Sequence, residues 1–380
     1  MKSYRIGVIG HRFMGKAHSH AFYNVNRFFP LQHTLLLDTL CGIGHDLPEK
    51  AAQYGFLHHD TDWRAVVSNP QIDIIDICTP DNLHKEIAVE AARHGKHILC
   101  EKPLSIHMVD AKAMLDAARM ARVVHLCNFV YRAVPVIRLA KDLIAEGKLG
   151  KVHTFRASYQ QDFCASPDAP FQWRMDGAVA GPGIIGDKGA HIIDLARYLV
   201  GDIQAVQAIE RTVIPLRRAE DGTMRKVESP DVALFTVSFL NGGIGTFEVS
   251  NVAWGSKNAL RFEANGTLGS LRFNLERLNE LEVYCGDDKP PLQGFRTIHV
   301  TGSGYPYGEY WWPDGHALGW EHAFTHQVHE FISAIEESRD ASPSFEDGYR
   351  CQQVIDAVAA AARTRGTVSI NADAPEAARL

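Results

Sequence analysis

Two rhythms of apolar and polar positions divide the chain. Up to about residue 128, short unbroken apolar runs recur: "RIGVIG", "TLLLDTLCG", "IDIIDICT", "KHILCEK" and "VVHLCNF". They are rich in Ile, Val and Leu and do not alternate, so they predict strands buried on both faces. Between them lie the helix-like segments "KAHSHAFYNVNRFF", "LPEKAAQYG", "DWRAVVSN", "LHKEIAVEAARHG" and "MVDAKAMLDAARMA". The fourth places Leu83, Ile87, Ala91 and Ala92 on one face and stops at Gly95. This alternation predicts a doubly wound, parallel Rossmann sheet over residues 1–128.

From residue 129 the rhythm changes. "YRAVPVIRLAKDLIAEGKLG" predicts one helix ended by a glycine turn. Longer runs with period two follow: "KVHTFRASYQ", "AVQAIERTVI", "DVALFTVSFL", "GIGTFEVSNVA", "ALRFEANG", "GSLRFNL" and "ELEVYC". Turn signals such as "NGG" and "NGTLG" separate them. They predict a large, mostly antiparallel open sheet with helices over one face, an α+β domain spanning 129–380. "GAHIIDLARYLVG" is a helix within this half, a last helix near 346–365 closes the fold, and "NADAPEAARL" reads as a loose tail.

Composition narrows the class. A chain of 380 residues, 46% hydrophobic and 22% charged, suits a two-domain globular protein. A net charge of −6 and a pI near 6.3 argue against nucleic acid or an anionic membrane as partner. No apolar run is long enough to span a membrane, and "YRIGVIG" follows Met1 and Lys2 too closely for a signal peptide. A cytoplasmic location is expected. Seven scattered cysteines without a C-x-x-C pattern suggest buried thiols, not disulfides or a thiolate zinc site.

The first strand feeds "GHRFMG". Gly10 and Gly15 occupy the outer glycine positions of a dinucleotide-binding turn, and Arg12 occupies the middle one. The first glycine allows the tight turn, and the third lets the helix pack on the strand. The helix N-terminus then offers free amides and partial positive charge to a pyrophosphate. An acid at the end of the second strand would bind the ribose of NAD. The slot falls near Cys41 and Gly42, where no acid stands; Asp38 lies inside the strand and Asp46 beyond it. No cation for a 2′-phosphate stands there either, unless Arg12 supplies it. NAD is the expected cofactor, with NADP left open.

"GVIGHRFMGKAH", "TPDNLH", "CEKPLS", "GDKGAHIIDLARYL" and "PSFEDGYRCQQVIDAV" together resemble the glucose–fructose oxidoreductase / inositol dehydrogenase (Gfo/Idh/MocA) family of NAD(P)-dependent sugar dehydrogenases. The resemblance runs almost end to end and is strongest to the myo-inositol dehydrogenase and levoglucosan/glucoside 3-dehydrogenase branch. It implies an oxidoreductase that acts on a secondary hydroxyl of a sugar, glycoside or inositol. It implies pyrophosphate contacts at Gly10, Phe13, Met14 and Gly15. Thr79, Pro80, Asn82 and His84 would line the ribose sides, with Glu101 at the nicotinamide ribose. A cis Lys102–Pro103 bond would aim Lys102 into the site.

Such a reaction needs a proton acceptor and a cation near the developing alkoxide. Asp187 and His191 lie four apart on a predicted helix, and so share a face, with Asp194 close to it. By spacing alone, a capping acid and a hydrogen-bonded histidine would explain the pair better. The resemblance implies instead that His191 is the acid/base, Lys102 the group on the reacting oxygen and Asp187 the anchor of a neighbouring hydroxyl. For gripping a sugar the candidates are Tyr131, Arg132, Gln161, Asp162, Trp173 and Arg174; packing at the domain junction explains each equally well. Two other outcomes occur among such proteins: a glycosidase acting through transient C3 oxidation, and a sugar-sensing regulator without catalytic groups.

His322, His326 and His329 form one stripe of a helix whose opposite stripe, Phe324, Val328, Phe331 and Ile335, faces the core. This predicts histidines outside the core, at a cleft rim or subunit contact, with no metal bound. "YPYGEYWWPDGHALGW" is an aromatic loop that either packs on the surface or closes over a sugar. An open sheet with a face to hide, together with the family habit, implies a homodimer or homotetramer.

Overall fold

The computed structural model describes residues 3–370; the expected loose tail, 371–380, lies outside the described residues. The chain forms two compact units. One takes in residues up to 139 together with 299–352, and the other takes in 140–298 and the residues from 353 onward.

The first unit opens with β1 (Ser3–Ile9) and α1 (Phe13–Phe28). The alternation continues with β2 (Thr34–Cys41), α2 (Leu47–Tyr54), β3 (His58–Asp60), α3 (Trp63–Ser68), β4 (Ile74–Ile77), α4 (His84–Arg93), β5 (His97–Cys100), α5 (Met108–Ala121) and β6 (His125–Cys127). The six strands pair in parallel in the order β3-β2-β1-β4-β5-β6. Ile6, Val8, Ile74, Ile75, Ile77, Ile98 and Leu126 are fully buried, as unbroken apolar runs require. Strand order reverses between β1 and β4. In open parallel sheets, the crevice at the carboxyl ends of such a pair is where ligands bind.

The expected single helix after residue 129 is broken. A 3-10 turn covers Val130–Ala133, and α6 (Pro135–Ala145) begins afresh at the proline. Val134 is extended at φ −70°, ψ 127°, because Pro135 disfavours the helical conformation before it.

The second unit holds β7 (Val152–Gln160), α7 (Gly177–Ala180), a π turn over Ile185–Gly189 and α8 (Ala190–Leu199). Then follow β8 (Ile203–Arg211), β9 (Leu216–Arg218), β10 (Met224–Lys226), β11 (Val232–Phe239), β12 (Ile244–Ser250), β13 (Ala259–Gly266), β14 (Gly269–Asn274), β15 (Glu280–Cys285) and β16 (Arg296–His299). After α9 (Trp320–Glu336) and α10 (Phe345–Thr364), β17 (Val368–Ser369) adds an edge. The nine-stranded sheet runs β16-β15-β14-β13-β7-β12-β11-β8-β17. It is mostly antiparallel, but its central pair, β7 with β12, is parallel. Alternate residues are buried along β7, β11 and β12. The inward ones include a row of aromatic rings. Phe235 stacks on Phe247 at 4.8 Å, Phe155 on Phe262 at 5.5 Å, and Phe262 meets Phe273 at 5.4 Å. Such cross-strand pairs fix the register of the sheet.

Two expectations for the region after 299 need correction. The sequence reading gives 299–352 to the second domain, but these residues cluster with the first unit, where α9 packs on α1. The histidine stripe is also not outside the core: His326 is fully buried, and His322 and His329 are half-buried. The aromatic loop explains this, because it covers α9. Trp311 Nε1 donates to His326 Nε2 at 2.6 Å, and the Tyr307 ring stacks on His326 at 4.1 Å. His326 Nδ1 in turn donates to the Ala133 carbonyl at 2.8 Å. One donor and one acceptor fit a neutral imidazole with its proton on Nδ1. Burial, chiefly, pushes its pKa down to about 3.

Replacing His326 by Phe leaves the Trp311 N–H and the Ala133 carbonyl without their partner. The expected cost is about 2–4 kcal/mol, read as a lower urea midpoint at neutral pH. The unfolded chain takes up a proton at this position below its ordinary value of 6.5, while the folded chain does so only near 3. Wild-type stability therefore falls across that window as pH drops. The Phe variant should lose about 1.4 kcal/mol per pH unit less there.

Candidate active site

The turn after β1 is built from missing side chains. Gly10 has φ +111°, and a Cβ on it would stand 2.3 Å from the Cys78 carbonyl oxygen. A Cβ on Gly15 would stand 1.9 Å from the Gly10 carbonyl. The first glycine thus lets the loop after β4 lie against the turn, and the second lets α1 start directly on it. No acidic residue occupies the first turn of α1, so its amides and partial positive charge face an anion unopposed. This cradle fits a pyrophosphate. Phe13, at the start of α1, is 67% exposed and stacks on Trp320 with centroids 5.6 Å apart. Met14 is half-buried beside it.

Arg12 turns away from the middle of the cradle. Its Nη1 donates to Asp46 Oδ2 at 3.2 Å, and His11 Nε2 meets Asp46 Oδ1 at 3.3 Å. The ring of His11 stands where a side chain on Gly42 would, 2.2 Å from its Cβ position. The fold therefore brings an acid back to the loop after β2, which the linear reading found empty. Some desolvation opposes ionisation, but the hydrogen bond from His11 and the charge of Arg12 hold the Asp46 carboxyl below its usual range.

The loops after β4 and β5 meet at the same sheet end. Thr79 is half-buried, and Pro80 and Asn82 are exposed. His84 is fully buried, with Nδ1 3.0 Å from the Pro103 carbonyl and Nε2 3.0 Å from the Thr79 carbonyl. It braces the two loops and presents no free ring edge to a ligand. Lys102–Pro103 is cis, and Lys102 is half-buried. Glu101 is buried and takes part in a polar network that the sequence reading missed. His18 Nδ1 lies 2.9 Å from Asp76, His18 Nε2 lies 2.9 Å from Glu101, and Asn128 Nδ2 donates to Glu101 at 2.5 Å. The signal was present in the sequence. His18 shares the buried face of α1 with Ala21, Phe22 and Val25, and Asp76 interrupts an otherwise apolar strand.

In the second unit, "GDKGAH" is not the uninterrupted α-helix expected. Asp187 lies in the π turn, and His191 lies in the first turn of α8. Extra residues of this kind in helices occur often at functional sites. Asp187 Oδ2 accepts from Lys188 Nζ at 3.2 Å and lies 3.8 Å from Arg174 Nε. Arg174 lies over the Trp173 ring at 4.3 Å, and His191 meets the Tyr159 ring edge-on at 5.7 Å. Trp173, Arg174 and Asp187 are thus in contact in turn, and two additions, Lys188 and Tyr159, carry the chain of contacts on to His191, with the Lys188 ammonium 5.8 Å from the Tyr159 ring. Neither addition was singled out from the sequence. Asp194 is buried in α8.

The other grip candidates have contacts within the chain. Tyr131 and Arg132 are buried, and Arg132 donates to Asp347 at 3.0 Å. Gln161 donates to Asn258 at 2.8 Å. Asp162 accepts from Lys257 at 2.6 Å and from the Gly255 amide at 3.1 Å, and the Lys257 hydrogen bond, chiefly, lowers its pKa.

Residues 4–129 match the oxidoreductase family with an NAD-binding Rossmann fold, and residues 137–272 match the GFO/IDH/MocA C-terminal domain. The levoglucosan dehydrogenase of Pseudarthrobacter phenanthrenivorans is 39% identical over 97% of this chain and 99% of its own. A levoglucosan dehydrogenase solved in complex with NADH and levoglucosan superposes with a TM-score of 0.95 at 39% identity, covering 97% of this chain and 100% of that one. Myo-inositol 2-dehydrogenase of Thermotoga maritima is 25% identical over 75% of this chain and 79% of its own. A glycine cradle shaped for a dinucleotide, matches in both halves and a relative aligned end to end agree: the chain belongs to the GFO/IDH/MocA family of NAD-binding oxidoreductases.

Proposed function

We propose that this enzyme oxidises a secondary hydroxyl of a cyclic sugar, of a glycoside such as levoglucosan, or of an inositol. The observation that carries this reading is the Asp187 carboxylate, held by Lys188 and Arg174 just before His191, in a chain that aligns end to end with a levoglucosan dehydrogenase. NAD, when bound, supplies the hydride acceptor. Gly10, Phe13, Met14 and Gly15 are the residues to hold its pyrophosphate, and Thr79, Pro80, Asn82 and Glu101 those to meet its riboses.

The hydroxyl must lose a proton as its carbon loses hydride. His191 accepts that proton at a ring nitrogen, and its 8% exposure limits competition from bulk water. Lys102 donates a hydrogen bond to the same oxygen and stabilises negative charge as it develops. Asp187, anchored by two cations, accepts a hydrogen bond from a neighbouring hydroxyl and sets the ring's orientation. Trp173 offers an aromatic face beside it.

The test is a screen of NAD and NADP against levoglucosan, myo-inositol, scyllo-inositol, glucose, xylose and aryl glucosides, following absorbance of the reduced cofactor. Oxidation of none of them rejects the reading. Release of aglycone without net reduced cofactor would mark glycosidase chemistry instead. His191→Ala should lower kcat by about 10²–10⁴-fold while NADH affinity stays within a few-fold, measured by turnover and by cofactor fluorescence. Arg12→Gly strips Asp46 of its cation and should weaken NADP binding more than NAD binding, with kcat for the preferred cofactor unchanged. Equal affinities in variant and wild type would reduce Arg12 to a solvent-facing ion pair.

A further inference from the structure

We propose that His18 is a positioning residue for the Glu101–Lys102–Pro103 turn, holding Glu101 from one side so that its other oxygen holds the Lys102 backbone. The proposal rests on the reading of Lys102 as the group that meets the reacting oxygen.

Four buried side chains from four successive parts of the first unit meet here: His18 in α1, Asp76 in β4, Glu101 after β5 and Asn128 after β6. His18 Nδ1 lies 2.9 and 3.0 Å from the two oxygens of Asp76, and Nε2 lies 2.9 Å from Glu101 Oε1. The Asn128 amide nitrogen also lies 3.0 Å from Nε2, but it gives its hydrogen to Glu101 at 2.5 Å. A carboxylate only accepts, so each ring nitrogen donates to one and the ring carries a positive charge. Two buried carboxylates this close would repel without that charge between them. Burial works against the charged ring, but the Asp76 carboxylate outweighs it and holds His18 protonated well above its ordinary pKa. His18, Asp76 and Cys78 have donor atoms within 4.8 Å of one another, a spacing that a metal could use. A ring whose two nitrogens both carry protons has no lone pair for one.

The chain of contacts then leads toward chemistry. Glu101 Oε1 takes His18 and Asn128, and Oε2 accepts from the Lys102 N–H at 3.3 Å. The order is Asp76, His18, Glu101, Lys102 backbone. The ring of Phe324, 5.5 Å from His18, packs over the network. His18 is 2% exposed, so it acts on the site only through Glu101. Among the described residues, other ionisable groups acting on this network include the Cys78 and Cys100 thiols, the Lys102 ammonium and, through Cys100, the Asp81 carboxylate.

The test uses the full NAD-bound enzyme with a substrate it oxidises. His18→Ala should lower kcat roughly 10–100-fold at saturating cofactor and substrate. It should also add a second loss of kcat toward acid, beyond the one set by protonation of His191, because Glu101 loses the donor that keeps it ionised. The double variant His18→Gln, Asp76→Asn rebuilds the hydrogen-bond chain without charge: the new amide at position 76 donates to the new amide at position 18, which in turn donates to Glu101. It should recover kcat to within a few-fold. A folded His18→Ala enzyme with wild-type kcat and pH profile overturns the proposal. If that variant does not fold, nitrogen NMR of the wild-type His18 ring decides. Two protonated nitrogens support the relay, and one bare nitrogen overturns it. That spectrum needs no turnover, so it stands apart from failure of the sugar-dehydrogenase reading.

Discussion

Backbone meets backbone where Gly10 passes the Cys78 carbonyl, and the nucleotide end of the first unit depends on that contact. A methyl group at Gly10 would lie 2.3 Å from an oxygen that has no freedom to move, since β4 is buried and paired on both sides. Without side chains at Gly10 and Gly15, α1 begins on top of β1 while the loop after β4 runs alongside. One turn into α1, His18 is then within reach of Asp76 and Glu101. The same geometry that opens a cradle for phosphates also brings three ionisable groups together under it.

Polar groups are buried here on terms that hydrogen bonding allows. Asp38 lies inside β2 at 1% exposure, yet it pairs with Arg5 and accepts from Thr39. Lys96 is buried with its ammonium on the Asn69 and Ile72 carbonyls, and burial chiefly lowers its pKa. Arg217, fully buried, donates to the carbonyls of Cys164, Ser166 and Ala169 and so ties the loop after β7. Lys96 and Arg217 fix loops whose sequences carry no periodic signal. Each would be costly to bury without its partners.

Much of this was legible in the sequence. Unbroken apolar runs gave the parallel strands, and period-two runs gave the large sheet, because burial on two faces or one leaves those two signatures. The hairpin of β9 and β10 escaped notice because its strands span three residues each, too short for a period to show. The π turn at Asp187 was invisible for a different reason. Its residues satisfy a helical pattern, and the inserted residue changes only the hydrogen bonding. His326 was misplaced because a stripe of a helix looks solvent-facing until a distant loop covers it. Tyr159 needed its contact with His191 to be recognised, and His18 and Asp76, each visible as a polar break in an apolar pattern, needed their contacts with each other and with Glu101 to be read as one network.

The histidines show most directly how environment assigns a role. His326 has one donor and one acceptor at its nitrogens, so the neutral ring satisfies both and burial keeps it neutral. His18 is just as deeply buried but has a carboxylate at each nitrogen, and only the charged ring balances both. His84 spans two carbonyls and serves as a brace between loops. His191 lies edge-on to Tyr159, four residues after an ion-paired carboxylate. Residue type alone would give these four side chains one chemistry. For the first three, the number and polarity of the partners at each nitrogen separate a core strut, a counter-charge and a brace, and those partners are set by the fold.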